Sequence, residues 1–145
     1  MKLTTATLLE GVAEALRDQV SPRLDDAFAK EAARMAQSLI TIAARADDDA
    51  AAIRIEENAR IRRILGAGVN VVARPELAMR FGLEAMSSDP GYRISELDTE
   101  NGRLKALLIE LHGAIEAQEG EAARDLDRAI WRMMRDFEEA RRPRA

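Results

Sequence analysis

Apolar side chains recur every three or four residues along most of the chain, with polar residues between them. This spacing places the apolar side chains on one face of an α-helix, whereas a half-buried strand alternates at every second residue. The clearest series keeps steps of three and four without a slip, and Ser95 and Asp98 stand in capping-box spacing at its start. Its members are Ile94, Leu97, Asn101, Leu104, Leu108, Leu111 and Ile115.

Five more segments have the same period and are bounded by capping or breaking residues. The first begins at the N-caps offered by residues 4–7 and ends at Ser21-Pro22, and Asp25 or Asp26 caps the second. The apolar series of these five predicted helices lie within residues 8–20, 28–42, 53–65, 77–86 and 126–140.

The boundaries between the later helices are predicted from acidic, glycine and proline residues. Asp47, Asp48 and Asp49 form either a break between the second and third helices or an exposed turn of one longer helix. The break is favoured, because carboxylates are stabilised at a helix N-terminus. Gly66 is a natural end for the third helix, and residues 66–74 are the one place where a short extended segment is expected. Pro75 suits the first turn of the fourth helix, and the chain turns around Gly120 before the last.

Composition agrees with a helical fold. Apolar residues make up 47% of the chain, aromatic residues only 3%, and there are four prolines. Many alanines with few β-branched residues favour close packing of helix on helix, and 145 residues suit one domain. We therefore expect an all-α, single-domain helical bundle of five to six helices over residues 1–145, with a frayed tail at 141–145.

The charge pattern limits the classes of partner that we expect for this protein. The chain carries 22 basic and 26 acidic residues that are well interspersed, so we expect no nucleic-acid partner. The richest basic patch, between Arg54 and Arg80, is expected to be a solvated helix face. No uncharged apolar stretch approaches the roughly 18 residues of a membrane span. The polar, acidic segment after Met1 is unlike a secretory signal, so we expect a cytoplasmic protein without a membrane partner.

Few residues are suited to chemistry. The absence of cysteine excludes disulfides, thiolate nucleophiles and iron–sulfur clusters. The single histidine, His112, has Ile109 three residues before it, so the Glu-x-x-His pair of di-iron bundles is missing. Gly66-Ala67-Gly68 lacks both the third glycine of the dinucleotide fingerprint and a preceding strand. We expect no catalytic residue, no metal and no cofactor.

Five polar residues are candidates for binding. Asn101 occupies a core position of its helix, where a buried amide fixes register or oligomeric state, unless it is solvated in the first turns. Glu57 lies on an apolar stripe next to Asn58, with Arg60 three residues on. A structural Glu57–Arg60 pair is the expected arrangement, and the lining of a ligand or partner site is the alternative. His112 is expected to be a boundary residue hydrogen-bonded to a neighbour.

Three stretches together resemble a known family. They are LLEGVAEALRDQVSPRLDD (8–26), IRIEENARIRRIL (53–65) and RISELDTENGRLKALLIELHGAIE (93–116). As a set they resemble small bacterial all-helical proteins of unknown function, encoded near aminoglycoside-phosphotransferase-like kinases and acyl-CoA dehydrogenase-like enzymes. The resemblance implies an accessory protein that works with a kinase-like or acyl-CoA-handling partner enzyme, and it transfers no residue role.

The sequence therefore favours a non-catalytic interaction protein that forms a homodimer through helical faces and serves a partner enzyme. The alternative is a small-ligand-binding protein or enzyme with a pocket between helices. The expected lining of that pocket is Met35, Met133, Met134, Phe137 or Trp131, with Glu57, Arg60 or His112 as polar anchors.

Overall fold

The computed structural model describes residues 2–142, which form five α-helices and contain no β-strand. The predicted all-α class with five to six helices is confirmed. A π-helical segment at Leu16–Val20 and a 3₁₀ turn at Ser21–Arg23 follow the first helix. The helices are α1 (Thr5–Ala15), α2 (Ala27–Gly68), α3 (Pro75–Ala85), α4 (Ile94–Glu116) and α5 (Glu121–Arg141).

The predicted break at Asp47–Asp49 is wrong, because α2 runs without interruption from Ala27 to Gly68. The second and third predicted helices are therefore one. Alanines surround the three aspartates on both sides, and their high helix propensity carries the helix through the acidic run. Gly66 accordingly does not end the helix, which continues for one more half-turn to Gly68.

The chain divides into two units, the first up to Ala50 and the second from Ala51 to Arg142. Within the first unit, local side chains cap both helices. The Thr4 hydroxyl accepts a hydrogen bond from the Thr7 amide at 3.1 Å. Asp26 Oδ2 accepts one from the Ala29 amide at 2.8 Å, which confirms the predicted cap of α2.

The second unit contains an apolar core built by the C-terminal part of α2 with α3, α4 and α5. The predicted stripes of α4 and α5 supply most of it, since each presents one continuous apolar face to the core. Its buried members are Ile61, Leu65, Val72, Phe81, Leu104, Leu108, Leu111, Ile115, Ala123, Leu126, Ile130, Met133 and Phe137.

Residues 69–74, where a short extended segment was predicted, form a turn between α2 and α3. Gln118, just beyond α4, holds this turn with both ends of its amide. Its Nε2 donates to the Val71 carbonyl at 2.7 Å, and its Oε1 accepts from the Ala73 amide at 2.9 Å. These two backbone groups bond to a side chain, and the amides of Val71 and Val72 bond to the Gly68 carbonyl, so the turn needs no neighbouring strand.

The ends of α4 and α5 differ in part from the prediction. Glu96, not the Ser95–Asp98 pair, caps α4, because its carboxylate accepts from the Arg93 amide at 3.3 Å. Gly120 precedes α5 with a φ of 124°, a conformation that favours glycine. Arg141, predicted to lie in the frayed tail, is the last residue of α5. Residues 143–145 of that tail lie outside the described part of the chain.

Among residues 2–142, no helix combines the length and the apolar content needed to cross a lipid bilayer.

Candidate functional site

A buried polar network links α2 to α4 inside the second unit. Polar groups that leave water need hydrogen-bond partners, and a buried charge needs an opposite charge as well. These side chains meet that need largely by bonding to one another. The buried members are Glu57, Asn58, Arg62, Glu100 and Asn101.

Glu57 lies at one end of this network and is 2% exposed. Arg141 at the end of α5 donates to both of its carboxylate oxygens, at 2.6 and 2.9 Å, and Lys105 Nζ lies 3.5 Å away. Burial alone would raise the pKa of Glu57. The hydrogen bonds from Arg141 and the positive charges of Arg141 and Lys105 outweigh burial and lower that pKa below its ordinary value. Glu57 is therefore a buried carboxylate anion.

Two amides continue the network from Glu57. Asn101 Nδ2 donates to Glu57 Oε2 at 3.0 Å and to Asn58 Oδ1 at 2.9 Å. Asn58 in turn donates to Asp89 Oδ1 at 2.9 Å. Of the two alternatives for Asn101, the structure supports the buried amide, because the residue is 5% exposed and bonded across helices.

Arg62 occupies the other end of the network. Its guanidinium donates to Ser87 Oγ at 3.0 Å, Asp89 Oδ1 at 2.9 Å and Glu100 Oε1 at 2.7 Å. Arg103 also donates to Glu100, and this hydrogen bond is the main reason that the pKa of Glu100 lies below its ordinary value. The same pairing raises the pKa of Arg103. Two arginines therefore share one carboxylate at the edge of the network.

The polar groups of the network form their hydrogen bonds with other groups of the same chain. Among the described residues, no buried side-chain nitrogen or oxygen lacks a partner. A fully bonded set of this kind fixes the register of α2 against α4 and leaves no inward-pointing polar group for a ligand. Glu57, Asn58 and Asn101, three of the five predicted site residues, are brought together here.

Arg60 is not part of the network, and the predicted Glu57–Arg60 pair is wrong. Arg60 Nη2 instead donates to Asp136 Oδ2 at 2.7 Å, and its guanidinium lies 5.4 Å from the centroid of the Phe137 ring. The two residues are close along α2, but each finds a partner on α5. Glu57 bonds to Arg141, one turn beyond the residues that hold Arg60.

His112, the fifth predicted site residue, lies where α4 faces α5. Its Nε2 is 2.7 Å from Asp127 Oδ1 and 3.7 Å from Glu116 Oε1. The Trp131 ring meets the imidazole edge to face, with centroids 5.6 Å apart and an interplanar angle of 83°. The expected neighbour of His112 is therefore Asp127, with a second carboxylate close by.

An open, mainly apolar cleft of about 250 Å³ lies beside His112. We call it the α4–α5 cleft. Trp131, Met134 and His112 belong to the predicted pocket lining, whereas Met133 and Phe137 are buried in the core and Met35 is exposed on α2. The residues that line the cleft are Lys105, Leu108, Ile109, His112, Ile130, Trp131 and Met134.

A second surface feature lies on the first unit. The apolar stripe predicted for the start of α2 is largely in contact with solvent, with Phe28 84%, Met35 59%, Leu39 60% and Ile42 38% exposed. Ala32, between them, is exposed too. Exposed apolar residues in isolation are ordinary, but a row at helical spacing indicates a contact surface. We call residues Phe28, Ala32, Met35, Leu39 and Ile42 the α2 apolar face.

Several residues of these sites were not found from the sequence. Arg141 had a detectable signal, because it follows Phe137 by four residues and so extends the apolar stripe of α5. Asp89 and Asp127 had no detectable signal, because each contacts residues that are distant in the sequence and local patterns do not report such contacts. Glu116 follows His112 by four residues, and this spacing of about one helical turn is a signal that the sequence does contain.

Comparison with protein-family models, characterised proteins and solved structures finds no match to this chain.

Proposed function

We propose that this protein is a non-catalytic interaction protein that self-associates through the α2 apolar face. The observation that carries the proposal is the exposure of four large apolar side chains at steps of seven, four and three residues along one helix. Removing such side chains from water is favourable, at roughly 25 cal/mol for each Å² buried. The face therefore gains free energy from any partner with a matching surface.

A second copy of the chain is the partner that best fits the face. Its average spacing of 3.5 residues is the repeat by which two helices pack along a common seam. A second copy of the chain presents the same face with the same spacing, so the two faces match. Association of two identical faces about a two-fold axis also closes the assembly at a dimer.

The acidic run beyond one end of the face favours an antiparallel dimer. Parallel alignment would place the acidic run Asp47–Asp49 of one copy beside the same run of the other, which is repulsive. Antiparallel alignment about Met35 places the two acidic runs at opposite ends of the paired helices instead. It also places Phe28 of one copy against Ile42 of the other.

An accessory role follows from the same surface and from the resemblance to bacterial helical proteins encoded beside kinase-like and acyl-CoA dehydrogenase-like enzymes. A dimer displays every other surface of the chain twice, which strengthens binding to a multimeric partner enzyme. A kinase-like or acyl-CoA-handling enzyme is the proposed partner.

Sedimentation velocity of the purified chain tests the self-association. At about 100 µM, where a dimer with a micromolar dissociation constant is well populated, we expect twice the chain mass of 16.0 kDa. Leu39→Glu places a charge on the face and should give the monomer. Leu83→Glu is the matched control, because Leu83 on α3 is 68% exposed but lies outside the face. A monomeric wild type, or equal effects of both variants, overturns the proposal.

A second candidate function is binding of a small apolar ligand in the α4–α5 cleft. The observation that favours it is the exposure of Trp131 and Ile109 beside the partly buried Met134 around one cavity. Ligand sites are mostly apolar and occur between the helices of bundles. Fluorescence of 1-anilinonaphthalene-8-sulfonate, a dye that binds apolar sites, tests this. Met134→Glu is expected to weaken dye binding in the cleft. Leu39→Glu is the control, because it changes only the dye that binds to the α2 apolar face. Unchanged dye binding by Met134→Glu overturns this candidate.

A further inference from the structure

Three side chains with metal-ligating atoms converge beside the α4–α5 cleft. They are the imidazole of His112, the carboxylate of Glu116 and the carboxylate of Asp127. One ligand atom from each lies within 4.8 Å of the other two. None of its residues belongs to the buried polar network or to the α2 apolar face, so the proposed self-association does not use it.

Two helices hold the cluster. His112 and Glu116 are four residues apart on α4, so they project from the same side of that helix. Asp127 projects from α5, which α4 meets through the short turn before Gly120. Sites built on packed helices keep their geometry better than sites on loops.

The distances suit one small ion. Zinc takes nitrogen and oxygen ligands at about 2.0–2.2 Å, which in a tetrahedral site sets ligand atoms about 3.4 Å apart. His112 Nε2 is 2.7 Å from Asp127 Oδ1 and 3.7 Å from Glu116 Oε1, one shorter and one longer than this spacing. Glu116 is 61% exposed and has room to adjust its position.

The donor set selects the class of ion. Imidazole nitrogen is a good ligand for zinc, cobalt, nickel and iron, whereas magnesium and calcium prefer sites made of oxygen alone. We propose that His112, Glu116 and Asp127 bind one divalent first-row transition-metal ion, for which Zn²⁺ is the test ion. Three protein ligands leave a coordination position for water or for a ligand atom.

The arrangement explains why the sequence predicted no metal site. In the Glu-x-x-His pair the glutamate stands three positions before the histidine, where this chain has Ile109. The ligands found here stand four positions after the histidine and on another helix. The spacing within α4 is visible in the sequence, but the approach of Asp127 is not.

Trp131 provides a built-in reporter, because it is the single tryptophan of the chain and its ring contacts the imidazole of His112. Paramagnetic Co²⁺ bound at His112 should quench the fluorescence of Trp131. Diamagnetic Zn²⁺ should compete with Co²⁺ and restore it, whereas Mg²⁺ should not. Isothermal titration calorimetry with Zn²⁺ gives the stoichiometry, with one ion per chain expected.

Two variants of equal charge test which residues bind. Asp127→Asn removes a ligand, and we expect Zn²⁺ affinity to fall at least about tenfold, since even residues that only orient a ligand contribute 10- to 100-fold. Glu110→Gln is the control, because Glu110 also lies on α4 but pairs with Arg80. Its Zn²⁺ affinity should stay within about twofold of the wild type.

Circular dichroism melting in the absence of metal verifies that both variants fold. If Asp127→Asn does not fold, Glu116→Gln takes its place, since the exposed Glu116 contributes little to folding. The proposal is overturned if Zn²⁺ binds with a dissociation constant weaker than about 1 mM. It is also overturned if Glu110→Gln loses as much affinity as the ligand variant, or if Co²⁺ leaves the fluorescence of Trp131 unchanged.

Discussion

Arg141, the last residue of α5, donates two hydrogen bonds to the carboxylate of Glu57, a buried residue 84 positions earlier in the chain. This contact ties the end of α5 to α2. It also neutralises a carboxylate that is 2% exposed, and that lies on the apolar stripe of its helix. The end of α5 therefore contributes to stability in place of fraying.

Arg141→Ala is expected to destabilise the chain. Removing one partner of a fully buried ion pair costs about 3–5 kcal/mol, and the 39% exposure of Arg141 reduces the expected loss to about 2 kcal/mol. Arg142→Ala is the matched control, because Arg142 and its partner Glu139 are both more than 70% exposed, so its effect should stay within about 0.5 kcal/mol. Urea unfolding measures both. Equal stabilities of the two variants would show that the contact is not formed.

Stability should fall at acidic pH, and Glu57 should account for part of this. The pKa values of Glu57 and Glu100 are lowered in the folded state, so both carboxylates stabilise the chain above the ordinary pKa of 4.5. That contribution is lost as the pH falls through their folded-state pKa values.

Glu57→Gln isolates the contribution of one carboxylate to this acid sensitivity. The difference in unfolding free energy between wild type and Glu57→Gln should be widest above about pH 5.5 and should narrow below about pH 4.5. The neighbouring Glu56 is 63% exposed, so Glu56→Gln should follow the wild-type pH dependence. Unfolding in urea across this pH range provides the measurement, and a difference that stays constant with pH would contradict the assignment.

Two glycines of the helices should respond oppositely to alanine. A Cβ at Gly68 would lie 2.7 Å from Leu111 Cδ1, and Leu111 is fully buried, so Gly68→Ala should destabilise by about 1–3 kcal/mol. A Cβ at Gly102 meets nothing within 4 Å, so Gly102→Ala in mid-helix should stabilise by about 1 kcal/mol. Thermal or urea unfolding distinguishes the two, and stabilisation by Gly68→Ala would refute the close approach of α2 to Leu111.

Local sequence signals predicted the helices well where short-range chemistry sets the boundary. Asp26 caps α2, Pro75 begins α3, and the apolar series of α4 and α5 form the core as expected. The acidic run at 47–49 was misinterpreted, because a helix N-terminus and an exposed acidic stretch inside an alanine-rich helix have the same local appearance.

The partners of the polar residues were less predictable than the residues themselves. Glu57 and Asn101 were identified because each interrupts an apolar stripe, and Asn58 because it stands next to Glu57. Their meeting in one network depends on how α2 lies against α4, which no periodicity in a single helix specifies. The same holds for His112. Its hydrogen bond to a neighbouring residue was predicted, but Asp127 was not predicted to be that neighbour.

Cysteine cross-linking tests the proposed self-association most directly, because the chain has no cysteine of its own. In the proposed antiparallel dimer, Met35 of one copy faces Met35 of the other, and a disulfide can join two cysteines whose Cα atoms lie within roughly 7 Å. Met35→Cys should therefore form a covalent dimer readily under mild oxidation. Met79→Cys is the control, since Met79 is similarly exposed at 68% but lies on α3.

The same chemistry reports the orientation of the two copies. A mixture of Phe28→Cys and Ile42→Cys chains should give the mixed dimer, because antiparallel alignment sets Phe28 of one copy opposite Ile42 of the other. Phe28→Cys alone should not cross-link, because the two Phe28 positions are then about 21 Å apart along the helix axis. We predict fast cross-linking of Met35→Cys and of the Phe28→Cys with Ile42→Cys mixture. Cross-linking of Met35→Cys no faster than that of Met79→Cys would contradict self-association through the α2 apolar face.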